Sequence, residues 1–235
     1  ETGRAPEEAL ESLRVNMRSR APASTLSLML PFPPARELGP RLARLFFGLT
    51  LFGLGLALMV VADLGLSPWD VLHQGISRRT GIPIGTVVII MGFAVLLLWI
   101  PLKERIGIGT VANAVVIGLV LDGALLVLPE TFEDLAVRWA ALLAGVVLVA
   151  VGSGFYIGAG LGPGPRDGLM TGLARHGLSI AWARAGIETT VRVFGWLLGG
   201  TVGAGTVIFA FGMGPLVQFF LRRLSVIPVA PKLSE

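Results

Sequence analysis

Leu64-Gly65-Leu66-Ser67-Pro68-Trp69-Asp70-Val71-Leu72-His73-Gln74-Gly75 is the stretch that decides the fold, because it returns as Leu161-Gly162-Pro163-Gly164-Pro165-Arg166-Asp167-Gly168-Leu169-Met170-Thr171-Gly172. Leu, Gly, Pro, Asp, Leu and Gly recur in register, 97 positions apart. Each copy reads as a helix start, with Ser67 or Gly164 at the N-cap, Pro68 or Pro165 at N1, and Asp70 or Asp167 at N3. An Asp at N3 can accept from the N-cap amide, and its charge suits the positive end of the helix dipole. Each copy also carries a stop signal, basic residues followed by glycine, in Arg78-Arg79-Thr80-Gly81 and Arg175-His176-Gly177. The spacing predicts two short helices of about 11 residues, roughly 16 Å long. A crossing needs about 20 residues. These helices are too short to span, yet each directly follows a long apolar segment.

Outward from these two helices the chain is apolar. Of its 235 residues, 54% are hydrophobic and only 14% charged, against about 25% charged in a soluble domain. Mean hydropathy is +0.79. The reading is an all-α, polytopic transmembrane bundle. Six apolar segments are expected near 41–62, 83–102, 107–128, 138–159, 180–200 and 203–224, with the two short half-helices between them. Cysteine is absent, which excludes disulfides, thiolate metal sites and a thiol nucleophile. The net charge of +4 is spread over tails and loops, as expected for topology and anionic lipid. No aromatic-interleaved basic patch is present, so nucleic acid is not an expected partner.

The duplication extends further. Arg41, Gly48 and Gly55 match Arg138, Gly145 and Gly152 at an offset of 97. Gly107-Ile108-Gly109-Thr110-Val111 matches Gly203-Ala204-Gly205-Thr206-Val207, and Gly118 matches Gly214, at an offset of 96. A single one-residue gap reconciles every match. The chain is therefore divided into a tail at 1–40, a first repeat at 41–128, a second at 129–224 and a tail at 225–235. The first tail is expected to be disordered, apart from a short amphipathic helix near Pro6–Val15. Three spans per half is an odd number, so the halves are expected to be inverted, the signature of many transporters. If the short helices crossed as well, the repeats would be parallel.

The loop charges predict cytoplasmic N- and C-termini. Arg36, Arg41, Arg44, Lys103, Arg105, Arg166, Arg175, Arg222, Arg223 and Lys232 fall on one side, and acidic Glu130, Glu133 and Asp134 on the other. Arg78 and Arg79 run against this orientation.

The motifs Gly-Leu-Ser-Pro-Trp-Asp-Val-Leu-His-Gln-Gly at 65–75, Gly-Ile-Gly-Thr-Val-Ala-Asn at 107–113 and Gly-Pro-Arg-Asp-Gly-Leu-Met at 164–170 resemble the YczE/YyaS/YitT group of bacterial integral membrane proteins, closest to its YczE/YyaS-like branch. The resemblance covers roughly 41–224. It implies a bacterial inner-membrane protein and fixes no activity.

Asp70 and Asp167 are expected to cap their helices, and a helix start inside a membrane is also a ligand site. Asp70, Gln74 and Arg78 share one face, repeated by Asp167, Thr171 and Arg175. This polar stripe is expected to line water or lie at the interface. Arg166 places a cation where the dipole disfavours it. It either pairs with Asp167, snorkels to headgroups, or holds an anion. On the fifth span Arg184, Glu188 and Arg192 form an i, i+4, i+8 stripe that must face protein or water, as a structural ladder or as the lining of a polar path. His73 lies one turn after Asp70, and a lone histidine there is more often a satisfied polar residue than a ligand. Asp122 is expected to pack against a neighbouring helix, and Asn113 to bond backbone.

No second histidine lies close enough for a metal site, no cofactor motif is present, and no nucleophile–base–orienter set points to an enzyme. The expected function is a small-solute transporter or permeation protein with its site between the repeats, accepting an anionic or zwitterionic group. The alternative is a regulator or assembly factor that binds a partner or lipid. Oligomeric state is left open.

Overall fold

The structure is a computed structural model that describes residues 34–177 and 179–226. The site described below lies within the compact unit Pro40–Val229. The amphipathic helix expected near 6–15 and most of the C-terminal tail lie outside the described residues.

Eight helices and no strand form among the described residues. They are α1 (Ala35–Ala62), α2 (Pro68–Thr80), α3 (Ile84–Leu102), α4 (Ile108–Leu125), α5 (Leu135–Gly158), α6 (Pro165–Arg175), α7 (Ile180–Leu197) and α8 (Ala204–Leu224). Five of them, α1, α3, α4, α5 and α8, are long and apolar enough to cross a membrane. That is one fewer than expected. The 18 residues of α7 carry Arg184, Glu188 and Arg192, and charges at that density remove it from the apolar class. The bundle is apolar on the outside as well. Phe211 is 79% and Ile100 70% exposed, a surface suited to a lipid solvent.

α2 and α6 form as the sequence predicts. Ser67 caps α2, accepting from the Asp70 amide, and Gly81 closes it in the left-handed conformation at φ 74°. Gly164 stands at the N-cap of α6 with no side chain to bond, and Gly177 follows its end at φ 97°.

The first spans of the two halves cross through glycine. A Cβ on Gly48 would lie 2.7 Å from the Gly152 carbonyl, and one on Gly55 2.7 Å from that of Gly145. Position numbers rise along α1 as they fall along α5, so the two helices run antiparallel. Each also receives an arginine from the other at its C-terminal end. Arg138 donates to the Ala62 and Asp63 carbonyls at 2.7 and 2.6 Å, and Arg41 to that of Ala159 at 3.5 Å. Free carbonyls at a helix end are thereby satisfied.

The turns before α2 and α6 interlock with the opposite half. The Gly205 amide donates to Leu64 and the Gly109 amide to Leu161, both at 2.8 Å. Gly65 and Gly162, at φ 114° and 127°, make these turns possible. α2 packs against α7, and α6 against α3. Trp69, Val95, Leu96, Trp99 and Leu169 form the core where these helices meet.

The halves differ in how their last two long helices pair. In the first, α3 and α4 pack closely. Asp122 accepts from the Gly85 and Thr86 amides at 2.6 and 2.8 Å, and from the Thr86 hydroxyl at 2.9 Å, so it caps the start of α3. In the second half, Gln218 holds the position of Asp122 and lines a cavity instead. Gly214, the match of Gly118, would meet no atom within 4 Å among the described residues if it carried a Cβ.

Candidate functional site

The starts of α2 and α6 meet at the centre of the bundle. Arg166 Nη2 donates to Asp70 Oδ1 at 3.3 Å, and its guanidinium lies 5.3 Å from the centroid of the Trp69 ring. Arg166 is the repeat counterpart of Trp69, so the contact joins equivalent positions of the two helices. The hydrogen-bond partner of Arg166 is therefore the carboxylate of the other half, and the adjacent Asp167 feels its charge without an ion pair. Cation–aromatic stacking and a charge-assisted bond together offset the dipole penalty at that position.

Asp70 is fully engaged. It is 3% exposed and receives the Ser67 hydroxyl, Arg166 and, at 3.2 Å, His73 Nδ1. His73 is accordingly a satisfied polar residue, although it reaches the cavity wall. Asp167 is held differently. It accepts from the Tyr156 hydroxyl at 3.1 Å and from the Gly164 amide, and no cation lies within ion-pair distance among the described residues. Trp99 Nε1 donates to the Pro165 carbonyl at 3.0 Å and fixes the start of α6.

A cavity of about 380 Å³ lies between these starts, and all eight helices contribute to its wall. Its polar lining includes Asn113, Tyr156, Arg166, Asp167, Arg184 and Glu188, and its apolar lining includes Phe52, Met91, Met170 and Met213. The volume falls in the range of about 300–1,000 Å³ typical of small-molecule sites. Arg184 Nε donates to Glu188 at 2.8 Å, so that pair is internally neutral. Trp69, 6% exposed, also lines the cavity, and its Nε1 has no partner among the described residues.

Five of the nine predicted site residues reach the cavity, namely His73, Arg166, Asp167, Arg184 and Glu188, while Asp70 stands behind the wall, bonded to Arg166. Gln74, Thr171 and Arg192 do not. Gln74 Oε1 accepts from the Thr201 amide at 2.7 Å. Thr171 bonds Glu104 at 3.3 Å. Arg78 donates to the Gly199 carbonyl, and Arg175 pairs with Glu104. Beyond its aspartate, the polar stripe of each short helix thus docks on the connection between the last two long helices of the other half. Helical spacing locates a stripe but not what it faces. Arg192 lies off the cavity wall, with its Nε buried.

Tyr156, Asn113 and Trp69 were not among the predicted residues. Tyr156 carried a signal, since it is the only tyrosine in the chain and lies at the end of an apolar run. Asn113 carried one too, a polar residue whose repeat counterpart is Phe209. Among the described residues no group of three or more His, Asp or Glu could hold a metal ion.

The chain is similar to an uncharacterised protein of Haemophilus influenzae, 43% identical over 189 residues, covering 80% of this chain and 86% of the relative. It is similar to the uncharacterised membrane protein YczE of Bacillus subtilis, 34% identical over 80% of this chain and 88% of the relative. YyaS of the same organism is 25% identical over 74% and 89%. No solved structure matches. The named membrane relative and the five apolar helices together make this a membrane protein. Residues 39–222 match the model of a family described as of unknown function, DUF6198, and the chain belongs to that YczE/YyaS-like family.

Proposed function

We propose that the protein is a small-solute transporter of the bacterial cytoplasmic membrane, built from two inverted repeats, with its site in the cavity between the starts of α2 and α6. In this reading α7 is the sixth span, its charges turned to the cavity, and α2 and α6 are half-helices that do not cross. Both termini are cytoplasmic. The repeat-related contacts support inversion. Gly48–Gly152 and Gly55–Gly145 are images of one another under the 97-residue offset, as are Arg138–Ala62 and Arg41–Ala159. Such reciprocity follows from a two-fold axis between antiparallel helices, and in a bilayer that axis lies in the membrane plane.

The observation that carries transport is the unequal closure of two matched helix pairs around one cavity. α3 and α4 are sealed along Gly85, Gly118 and Asp122, while Gly214 and Gln218 of α8 stand free of α7. Exchange of these two arrangements between the halves would expose the cavity first to one side and then to the other, which is alternating access. A regulator or lipid-binding protein needs no such exchange.

The test uses two single cysteines in this cysteine-free chain, at Val217 on the cavity wall and at its counterpart Leu121, which is 1% exposed. Val217→Cys is expected to react with a water-soluble maleimide from one side of sealed vesicles. Leu121→Cys should react more slowly, and from the opposite side. If Leu121→Cys stays unmodified for hours while Val217→Cys reacts, the cavity does not exchange and the transport reading fails.

A further inference from the structure

The two half-helix starts are related by sequence, but their carboxylates are used differently. At the first, the Ser67 hydroxyl donates to Asp70, and Arg166 and His73 complete its coordination. At the second, glycine replaces that serine. A Cβ on Gly164 would lie 3.2 Å from Asp167 Oδ2, 3.4 Å from the Tyr156 hydroxyl and 3.5 Å from Asn113 Cγ. Three polar side chains from three helices therefore converge on the point where the first half places its own cap.

The charges around this point do not balance. Arg166 is paired with Asp70 of the other half, and Arg184 with Glu188. Asp167 has the hydrogen bond of Tyr156, and although the charges of Arg166 and Arg184 reach it, no cation pairs with it directly among the described residues. Asp167 is exposed to the cavity, and the two cations whose charge reaches it, Arg166 and Arg184, are each paired with another carboxylate, so a positive group entering the cavity meets a carboxylate with no ion pair of its own.

We propose that Asp167, Tyr156 and Asn113 form the headgroup site for a primary ammonium compound with an apolar body. This rests on the reading of the cavity as a solute site and names the solute's class. A primary ammonium carries three N–H donors. The Asp167 carboxylate, the Tyr156 oxygen, whose own proton is already given to Asp167, and the Asn113 amide oxygen supply three acceptors. The ammonium takes the role that the Ser67 hydroxyl plays at Asp70, donating to the carboxylate at a helix start. Phe52, Met170 and Met213 provide an apolar wall for the rest of the molecule. Met adapts to irregular apolar shapes, so the site selects the headgroup more strictly than the body. An anion, expected from Arg166 alone, is disfavoured because Asp70 already neutralises that arginine.

The test is a ligand titration of the purified full chain, read by calorimetry and by thermal shift. Phenethylammonium chloride is the probe, up to roughly 10 mM, a concentration that reveals millimolar binding. Binding is expected for the parent. Asp167→Asn should weaken it at least about tenfold. Gly164→Ser, which restores a side-chain cap at α6 in the manner of Ser67, should fold at least as stably as the parent and also lose binding at least about tenfold. Benzyltrimethylammonium, which has the charge without the donors, should bind at least about tenfold more weakly than the primary amine. Phenylacetate and sodium chloride should not bind.

Absence of phenethylammonium binding to the parent overturns the proposal. So does equal binding by Gly164→Ser or Asp167→Asn, or binding of phenylacetate, sodium or the quaternary amine as tight as that of phenethylammonium. The labelling at Leu121 is independent of these results. Exchange without amine binding overturns the amine site and leaves transport standing, whereas amine binding without exchange overturns transport.

Discussion

Gly48→Ala tests the seam between the halves. The added Cβ would lie 2.7 Å from both the Gly152 carbonyl oxygen and the Tyr156 amide nitrogen, where ordinary contact begins at 3.4 Å. Both neighbours are backbone, so no side chain can swing aside, and α1 and α5 must part by about 0.7 Å. A gap of about 0.5–1 Å forfeits roughly a quarter to a half of each atomic contact, each worth about 0.1–0.2 kcal/mol. Over some 50 such contacts the loss is about 1–5 kcal/mol, centred on about 3. Alanine's better helix propensity returns up to about 1 kcal/mol. The net destabilisation is then about 1–3 kcal/mol, in line with overpacked cores. For a chain of this size that lowers the melting temperature by roughly 3–10 °C. The assay is thermal unfolding in detergent, with Gly123→Ala and Gly212→Ala as controls. Both controls are helical positions where a Cβ meets nothing within 4 Å among the described residues, and both should melt at or slightly above the parent. Gly145→Ala, the repeat counterpart, should match Gly48→Ala. The double variant Gly48→Ala/Gly152→Ala should cost less than the sum, since one separation serves both. If Gly48→Ala melts with the controls, the helices do not touch here and the two-fold argument loses its best contact.

Three other outcomes follow from single contacts. Arg138→Ala, which removes two bonds to the end of α1, should destabilise by about 1–3 kcal/mol, read by thermal unfolding. Asp122→Ala removes the cap of α3 and should cost about 0.5–2 kcal/mol, with faster hydrogen exchange at the Gly85 and Thr86 amides as its local signature. Gly168→Ala drives a methyl group into the Trp99 ring and should cost about 1–3 kcal/mol, of which Trp99→Phe in the same chain should restore part.

Much of the helical architecture was legible because its signals are local. Ser67, Pro68 and Gly81 set the ends of α2, and Pro165 and Gly177 those of α6, within a residue or two of where they were expected. Helix limits were close to those of the expected segments, although α1 begins at Ala35, ahead of the expected 41, and α7, which is not apolar enough to count as a span, ends at Leu197, before the expected 200. The destinations of polar side chains were not legible in the same way. Gln74 and Thr171 share a helical face with an aspartate, and periodicity cannot tell a wall of water from the connection that Thr201 and Glu104 provide. Arg166 could not be assigned from its neighbours in sequence, because its partner lies 96 positions away on the far side of the repeat.

Repetition makes the differences between the halves more informative than either half alone. Two helix starts on a symmetric scaffold would carry two equivalent carboxylates, and with no cation between them neither would have a counter-charge. Trp69 in one copy and Arg166 in the other supply a single cation, and it goes to Asp70. Serine in one copy and glycine in the other supply a single hydroxyl cap, and it goes to Asp70 as well. Both substitutions satisfy the same carboxylate. Had Arg166 turned to its neighbour Asp167, each half would have held one satisfied acid and the cavity lining would be balanced. Instead the two departures from symmetry act in the same direction and leave Asp167 facing the cavity beside Tyr156 and Asn113. Packing alone gives no reason for two independent sequence differences to concentrate on one member of a matched pair, whereas a solute that must be gripped at one end does.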